Sequence, residues 1–332
     1  MKRLYSVIFI IFALLGIALF NDMHSTTQAK KIPTVGILQF MTHPALNAIN
    51  KGIMDELKAN GYVNGKNIKI DFQNAQGDQS NLKTMATKFD NENATVSVGI
   101  ATPAAQALVN TMPTKKVLFS ASTNPVGAQL VKSLTHPGKY VTGVSDQAPL
   151  KAQLKLIKKM VPTLKTLGII YTSSDDSATT EAKKMQKLAT DNGIKIKVYT
   201  IAQTNDLAQV AQTMVNNHNV DAVFVPTDNT IASAMPVLVQ ATNQAKVPVF
   251  PTVNTMVKQG GVAAESINQY AIGRKTGKML VRILKGQKIS DTPVEFMKNG
   301  QLVINTKQTK KLGINVANNL LTQANKQGGI IK

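Results

Sequence analysis

From Ile32 onward, short runs of β-branched and apolar residues alternate with stretches of helical periodicity. That alternation points to parallel sheets, because parallel neighbours must be joined by a long return segment, usually a helix. The first set of strands is expected at Thr34–Leu38, Asn67–Phe72, Thr95–Ile100, Lys116–Ser120 and Tyr140–Val144. Helices are expected between them at Ala45–Asn60, Asn81–Glu92, Ala104–Thr111 and Val126–Ser133. Ala45, Ile49, Ile53 and Leu57 recur at helical spacing, and Gly61 stands where a C-terminal cap belongs.

After Leu154–Met160 and Pro162 the pattern restarts. Strands are expected at Thr166–Tyr171, Ile194–Thr200, Val220–Val225, Val247–Phe250 and Gly261–Ala264, with helices near Ala178–Asn192, Asp206–Asn217 and Ile231–Gln244. A long helix, Tyr270–Lys285, and short strands near Val294–Met297 and Leu302–Ile304 form a tail able to cross back to the first half. The reading is α/β, with two Rossmann-like lobes joined by a hinge. Lobe 1 takes residues 31–145 plus about 267–295, and lobe 2 takes 146–266 plus about 296–325. Residues 1–30 form a signal or anchor segment.

That segment has Lys2-Arg3 before the apolar run Leu4–Phe20. Two cations ahead of an apolar core match a secretory signal, and as a helix the run is slightly short of a bilayer core. Both a cleaved signal, cut near Thr27-Gln28-Ala29, and a retained membrane anchor are open; the anchor is the favoured reading. Either places the folded part outside the cytoplasm.

The net charge of +20 first suggests a nucleic-acid partner. However, the lysines are scattered through the sequence, arginine is scarce, and no basic stripe interleaves with aromatics, so nucleic acid is set aside. Cysteine is absent, which removes disulfides, thiolate catalysis and cysteine metal sites. The histidines His24, His43, His136 and His218 show no metal-ligand spacing. No GxGxxG, GxxxxGK[ST] or GxSxG motif is present, and nothing arranges Ser, His and Asp as a triad. No cofactor and no catalysis are expected.

The informative positions are the strand ends, where ligands bind in open α/β sheets. Thr102-Pro103-Ala104 follows one buried strand, and Thr123-Asn124 follows the next. Each reads either as an ordinary helix cap or as an anion site of free N–H groups and a positive dipole end. In the second half, Asp228-Asn229 and the polar run holding Ser174 and Asp175 end two strands. Their carboxylates suit either a ligand ammonium or a helix N-terminus. Gln39 ends the first strand. His43 beside Pro44 reads as a ligand contact or, more simply, as a local hydrogen bonder.

Taken together, several long motifs resemble the substrate-binding proteins of ABC transporters of the tryptophan/tyrosine type. They are VGILQFMTHPALNAINKGI (35–53), KNIKIDFQNAQGD (66–78), GIATPAAQAL (99–108), NPVGAQLV (124–131), VTGVSD (141–146) and VPTDNTIASA (225–234). The resemblance implies a type I periplasmic-binding-protein-like fold that closes on an aromatic amino acid or similar small molecule. It also implies a monomer that presents its ligand to a permease and its ATPase. Carried over by position, the ligand-facing residues are Gln39, Thr102, Pro103, Ala104, Thr123, Asp146, Asp228 and Asn229, with Asn124, Ser174 and Asp175 at neighbouring strand ends. The chain departs from the family pattern at Asn124, often Asp, and at Asp175-Asp176-Ser177-Ala178, often Glu-x-Asn-Ser. Relatives often carry a lipoprotein cysteine that is absent here. An extracytoplasmic sensor with the same cleft, and a cleft hydrolase, are the other readings. Phe40, Phe119 and Tyr171 are the aromatic side chains available for stacking, or else core.

Overall fold

All fourteen residues of β3 (Val96–Ile100), β4 (Val117–Ser120) and β5 (Val141–Ser145) are buried, as a parallel strand covered on both faces must be. With β1 (Thr34–Gln39), β2 (Lys69–Asn74) and the late β11 (Glu295–Phe296) they form a six-stranded sheet in the order β11-β5-β4-β3-β1-β2. Every pairing in it is parallel. A second parallel sheet has the order β7-β6-β8-β9, built from β6 (Thr166–Thr172), β7 (Lys195–Ile201), β8 (Ala222–Val225) and β9 (Val249–Pro251). A small third sheet joins β10 (Ala263–Ser266), β12 (Gln301–Asn305) and β13 (Ile330–Ile331).

In this computed structural model residues 32–216, 219–297 and 300–332 are described, with positions 11, 13 and 15. Apart from those three positions, the Leu4–Phe20 run and the segment to Lys31 lie outside the described residues. Among the described residues, no helix is long and apolar enough to cross a membrane. Residues Thr34–Lys332 form one compact unit.

Helices α1 (Pro44–Ala59), α2 (Gln79–Asn91), α3 (Thr102–Thr111), α4 (Leu150–Met160), α5 (Asp176–Thr190) and α6 (Leu207–Val215) fall where the periodicity places them. The expected helix at 231–244 is instead two, α7 (Asn229–Ser233) and α8 (Met235–Gln244). Pro236 explains the break: it lacks an N–H, and its ring would strike the carbonyl one turn back. The short α9 (Asn254–Lys258) and the long α10 (Gln269–Leu284) follow, then α11 (Thr306–Lys311) and α12 (Asn318–Lys326).

Two other expectations are corrected. Val126–Ser133 is a series of turns rather than a helix. One helical turn starts at Asn124, whose side-chain oxygen accepts from Gly127 N at 3.1 Å, but Gln129 adopts φ 58° and ends it. Leu130 N and Val131 N then both donate to Pro125 O. The strand at 261–264 does not extend the second sheet either. Between Pro251 and Ala263 the chain makes only the five-residue α9, too little for a parallel crossover, and β10 pairs antiparallel with β12.

Helices α1 and α10 pack together across the first sheet because two glycines meet. A Cβ on Gly52 would lie 2.3 Å from Tyr270 O, and one on Gly273 would lie 2.0 Å from Ile49 O. Backbone contact of this kind is open only to glycine. It brings His43, just before α1, and Gln269, the first residue of α10, into the lining of one cavity.

Candidate functional site: a cavity between strand ends

Strands β1, β3, β4 and β5 of one sheet, and β6, β8 and β9 of the other, end around this cavity. Its lining includes Thr102, Thr123 and Asp146 from the first sheet and Ser177, Thr227 and Asn229 from the second. Apolar contributions come from Leu46, Ala101, Ala121, Ala232 and Val253. Its volume is about 20 Å³, the room of a single water.

Two buried hydrogen bonds cross it. His43 Nε2 lies 3.0 Å from Asn229 Oδ1, and the hydroxyls of Thr102 and Ser177 are 3.0 Å apart. Thr102 also donates to Ser122 Oγ at 3.1 Å. The other ring nitrogen of His43, Nδ1, is buried with no hydrogen-bond partner. Burial pushes the His43 imidazole below its ordinary pKa, and the bond to Asn229 opposes that shift.

The strand ends are strained on one side. Ala101, after β3, has φ 75° and ψ 157°, a region that is essentially glycine's alone. Ala121, after β4, has φ 61°. Each such residue costs about 1–3 kcal/mol and persists only where the surrounding fold imposes it. Both line the cavity. Because Ala101 has no polar side chain, α3 starts with no side-chain cap. By contrast, Asp175 caps α5, Asp228 caps α7 and Asn268 caps α10. The free N–H groups of the first turn of α3 and its positive dipole end are therefore open to an anion.

The carboxylates divide sharply. Asp228 is 1% exposed, and its oxygens accept from Thr172 N (2.6 Å), Thr172 Oγ1 (3.0 Å) and Ile231 N (2.9 Å). It does not line the cavity. Asp146 lines it, and Thr123 Oγ1 donates to its Oδ1 at 2.9 Å. Burial pushes Asp146 up to about 6, against that hydroxyl. Asp175 caps α5 through Ser177 N and Ala178 N and is pushed up to about 7, first by burial and then by the charge of Asp228.

The remaining sequence-selected residues are spread around this centre. An outer groove of about 530 Å³ is lined by Thr102, Pro103, Ser174 and Asp175, together with Lys83 and Gln106. Gln106 Nε2 reaches Asp176 Oδ2 at 3.4 Å across it. Gln39 is buried outside the lining, donating to Met41 O and Asn47 Oδ1 with its Oε1 unpartnered. Ala104 is core, and Asn124 makes the turn at Gly127. Phe40 and Phe119 are core as well, and Tyr171 packs against a second core; none of the three lines the cavity or the groove.

Sequence reasoning missed Gln269 and Glu181. Gln269 carries no local signal, since it reaches the cavity only through the packing of α1 on α10. Glu181 sits inside α5 at 1% exposure, accepting from Ala148 N (3.3 Å) and Thr227 N (2.8 Å). It ties the crossover between the sheets to the loop before α7. Burial, with Asp146 nearby, pushes it up to about 7. A lone Glu on an apolar helix face was its one trace in the sequence.

The chain matches a family model described as ABC transporter substrate binding protein over residues 34–327. The chain belongs to that family. A tyrosine-binding protein of Clostridioides difficile (strain R20291) is 32% identical over 292 residues, covering 88% of this chain and 84% of the relative. Among solved structures, an ABC domain in complex with L-Trp from Streptococcus pneumoniae is 41% identical with a TM-score of 0.86, covering 90% of this chain and 99% of that one. A substrate-binding protein with adhesive properties from Clostridium difficile, in a ligand-free, open structure, is 34% identical with a TM-score of 0.70, covering 91% and 99%.

Proposed function

We propose that the protein is the extracytoplasmic solute-binding component of an ABC importer and binds an aromatic amino acid, without turnover, between two closing lobes. The observation that carries this reading is the seam: polar groups from both sheets converge there, and two buried hydrogen bonds already join the sides. The lobes are residues 31–145 with about 267–295, and 146–266 with about 296–325.

Ligand pockets usually measure about 300 Å³ or more, and this cavity is far smaller. The lobes therefore part to admit the ligand and reclose on it, so that contacts to the second lobe favour the closed state. The higher TM-score to the tryptophan complex (0.86) than to the open, ligand-free relative (0.70) supports reading the present geometry as closed. In the ligand complex, the uncapped start of α3 holds the α-carboxylate, and the hydroxyls of Thr102 and Thr123 turn from Ser122 and Asp146 to donate to it. Asp146 meets the ammonium, and Asn229 and Ser177 close from the other lobe. The aromatic ring lies against Leu46, Ala101, Ala121, Ala232 and Val253, a surface of small aliphatic groups rather than a stacking partner. The folded part works at the outer face of a membrane, held by Leu4–Phe20, as a monomer that meets a permease and its ATPase.

Calorimetry on residues 34–332 with L-tryptophan, L-tyrosine and L-phenylalanine, beside the other free amino acids, tests the reading. Binding is expected for at least one of the three. If no free amino acid gives a heat signal or a thermal shift, the ligand class is wrong.

A further inference from the structure

Helices α4 and α5 lie side by side and expose lysines to the furrow between them. Lys151, Lys155 and Lys158 recur at i, i+4 and i+7 on α4, with Lys159 beside them. Across the furrow, α5 presents Lys183, Lys184 and Lys187. All seven are exposed. Two grooves of about 470 and 540 Å³ run along this furrow and share Lys151 and Leu188. Their floor is apolar, formed by Ala148, Leu150, Leu154 and Leu188.

The seven lysines here have little compensation: Asp191 pairs with Lys187, and the half-buried Glu265 lies near Lys159. Among the described residues, eight of the nine ion pairs join residues within 51–115 and 274–295, such as Lys88–Asp71, Lys69–Glu92 and Arg274–Glu56. The ninth, Lys187–Asp191 at 3.1 Å, is the one pair in the furrow. Lys158 reaches only the neutral amide of Asn192, at 3.3 Å. Glu181 borders the same groove, but it is buried and both its oxygens accept backbone N–H groups, so it offers no surface counter-charge.

We propose that the α4–α5 furrow is a docking surface for an anionic lipid bilayer. Lysine stems can lie along an apolar floor while their ammonium groups reach out, which matches a surface that is anionic at its headgroups and apolar just beneath. A single-stranded nucleic acid would call for aromatic or arginine stacking, which neither groove supplies, and a duplex backbone would leave the apolar floor uncovered. An acidic protein face would cover the apolar floor only by bringing apolar groups of its own. This inference does not rest on the identity of the ligand in the cavity.

The test uses residues 34–332, which leaves the apolar N-terminal run out of the measurement. A chain of that extent folds by itself in the Streptococcus pneumoniae relative, 99% of which is matched by 90% of this chain. Co-sedimentation is measured with phosphatidylcholine vesicles, and with vesicles containing about one third phosphatidylglycerol. Binding is expected only to the second, weakening as salt is raised. The triple variant Lys155→Glu/Lys158→Glu/Lys184→Glu should weaken it more than a hundredfold, since each lysine lost from the surface field is worth about fivefold and reversal adds repulsion. The control Lys66→Glu/Lys278→Glu/Lys285→Glu makes the same change in net charge elsewhere and should weaken it far less. The neutral triple Lys155→Ala/Lys158→Ala/Lys184→Ala should lie between. Equal losses in the two charge-reversed triples would assign the binding to diffuse net charge and overturn the proposal. So would equal binding to both vesicles, or retention on nucleic acid or polyglutamate with none on anionic vesicles.

Discussion

Asp146 and Asp228 are both buried carboxylates at the carboxyl ends of parallel strands, one on each sheet, yet their surroundings differ completely. Asp228 accepts three hydrogen bonds from its own half and caps α7. Asp146 accepts one from the Thr123 hydroxyl and borders the cavity. Burial raises both, but of the two only Asp146 lines the cavity. A polar strand end is thus not a site by virtue of its charge; what counts is whether the fold has already used its oxygens.

The largest effect that tests this contrast is on stability. Asp228→Ala leaves Thr172 N and Ile231 N buried without acceptors and is expected to destabilise the unit by about 2–4 kcal/mol in urea unfolding. The folded fraction should bind its ligand nearly as before; a large affinity loss with unchanged stability would reverse the roles of the two aspartates. Asp146→Ala should do the opposite, weakening an amino-acid ligand by about 1.5–3 kcal/mol in calorimetry.

The pH dependence sharpens the comparison further. A ligand ammonium favours ionised Asp146, whose folded pKa is about 6, so affinity should rise as pH increases toward 6 and level off above it. Asp146→Asn should flatten that profile. Stability should run the other way. Asp146, Asp175 and Glu181 hold protons more tightly folded than unfolded, with values of about 6, 7 and 7. Their contribution is therefore fully present at acid pH and is lost as pH rises from about 4 through 7. A melting temperature that climbs steadily between pH 5 and pH 8 would contradict the burial of these groups.

The smallest effect concerns closure. Asn229→Ala removes the partner of His43 Nε2 and should weaken ligand binding by about 1 kcal/mol, with the unliganded protein more open by small-angle scattering.

Much of the fold was legible along the chain. Strand and helix positions such as Thr34–Gln39 and Pro44–Ala59 follow from apolar spacing, a local property. Where local pattern failed, the reason lay in the chain's course: the expected helix at 126–133 ends where Gln129 adopts φ 58°, Pro236 splits another, and the connection before β10 is too short for a parallel crossover. Thr102, Thr123 and Asn229 were legible as polar strand ends, and Asp146 through the family resemblance. Their company was not, because His43 meets Asn229 across 186 residues of chain and Thr102 meets Ser177 across 75.

The sequence by itself determined an α/β chain with two runs of parallel strands, polar residues at their carboxyl ends, and kinship with ABC substrate-binding proteins. It left Asp228 poised between helix cap and ligand contact, since a carboxylate before a helix serves equally well for either. Only the tertiary structure decided which oxygens were already engaged. It did so by bringing β6 beside β8, so that Thr172 satisfies Asp228, and by gathering Asp146 with Thr123, Gln269 and the strained Ala101 around one cavity. Hydrogen-bond satisfaction depends on neighbours distant in sequence, and no local pattern encodes it.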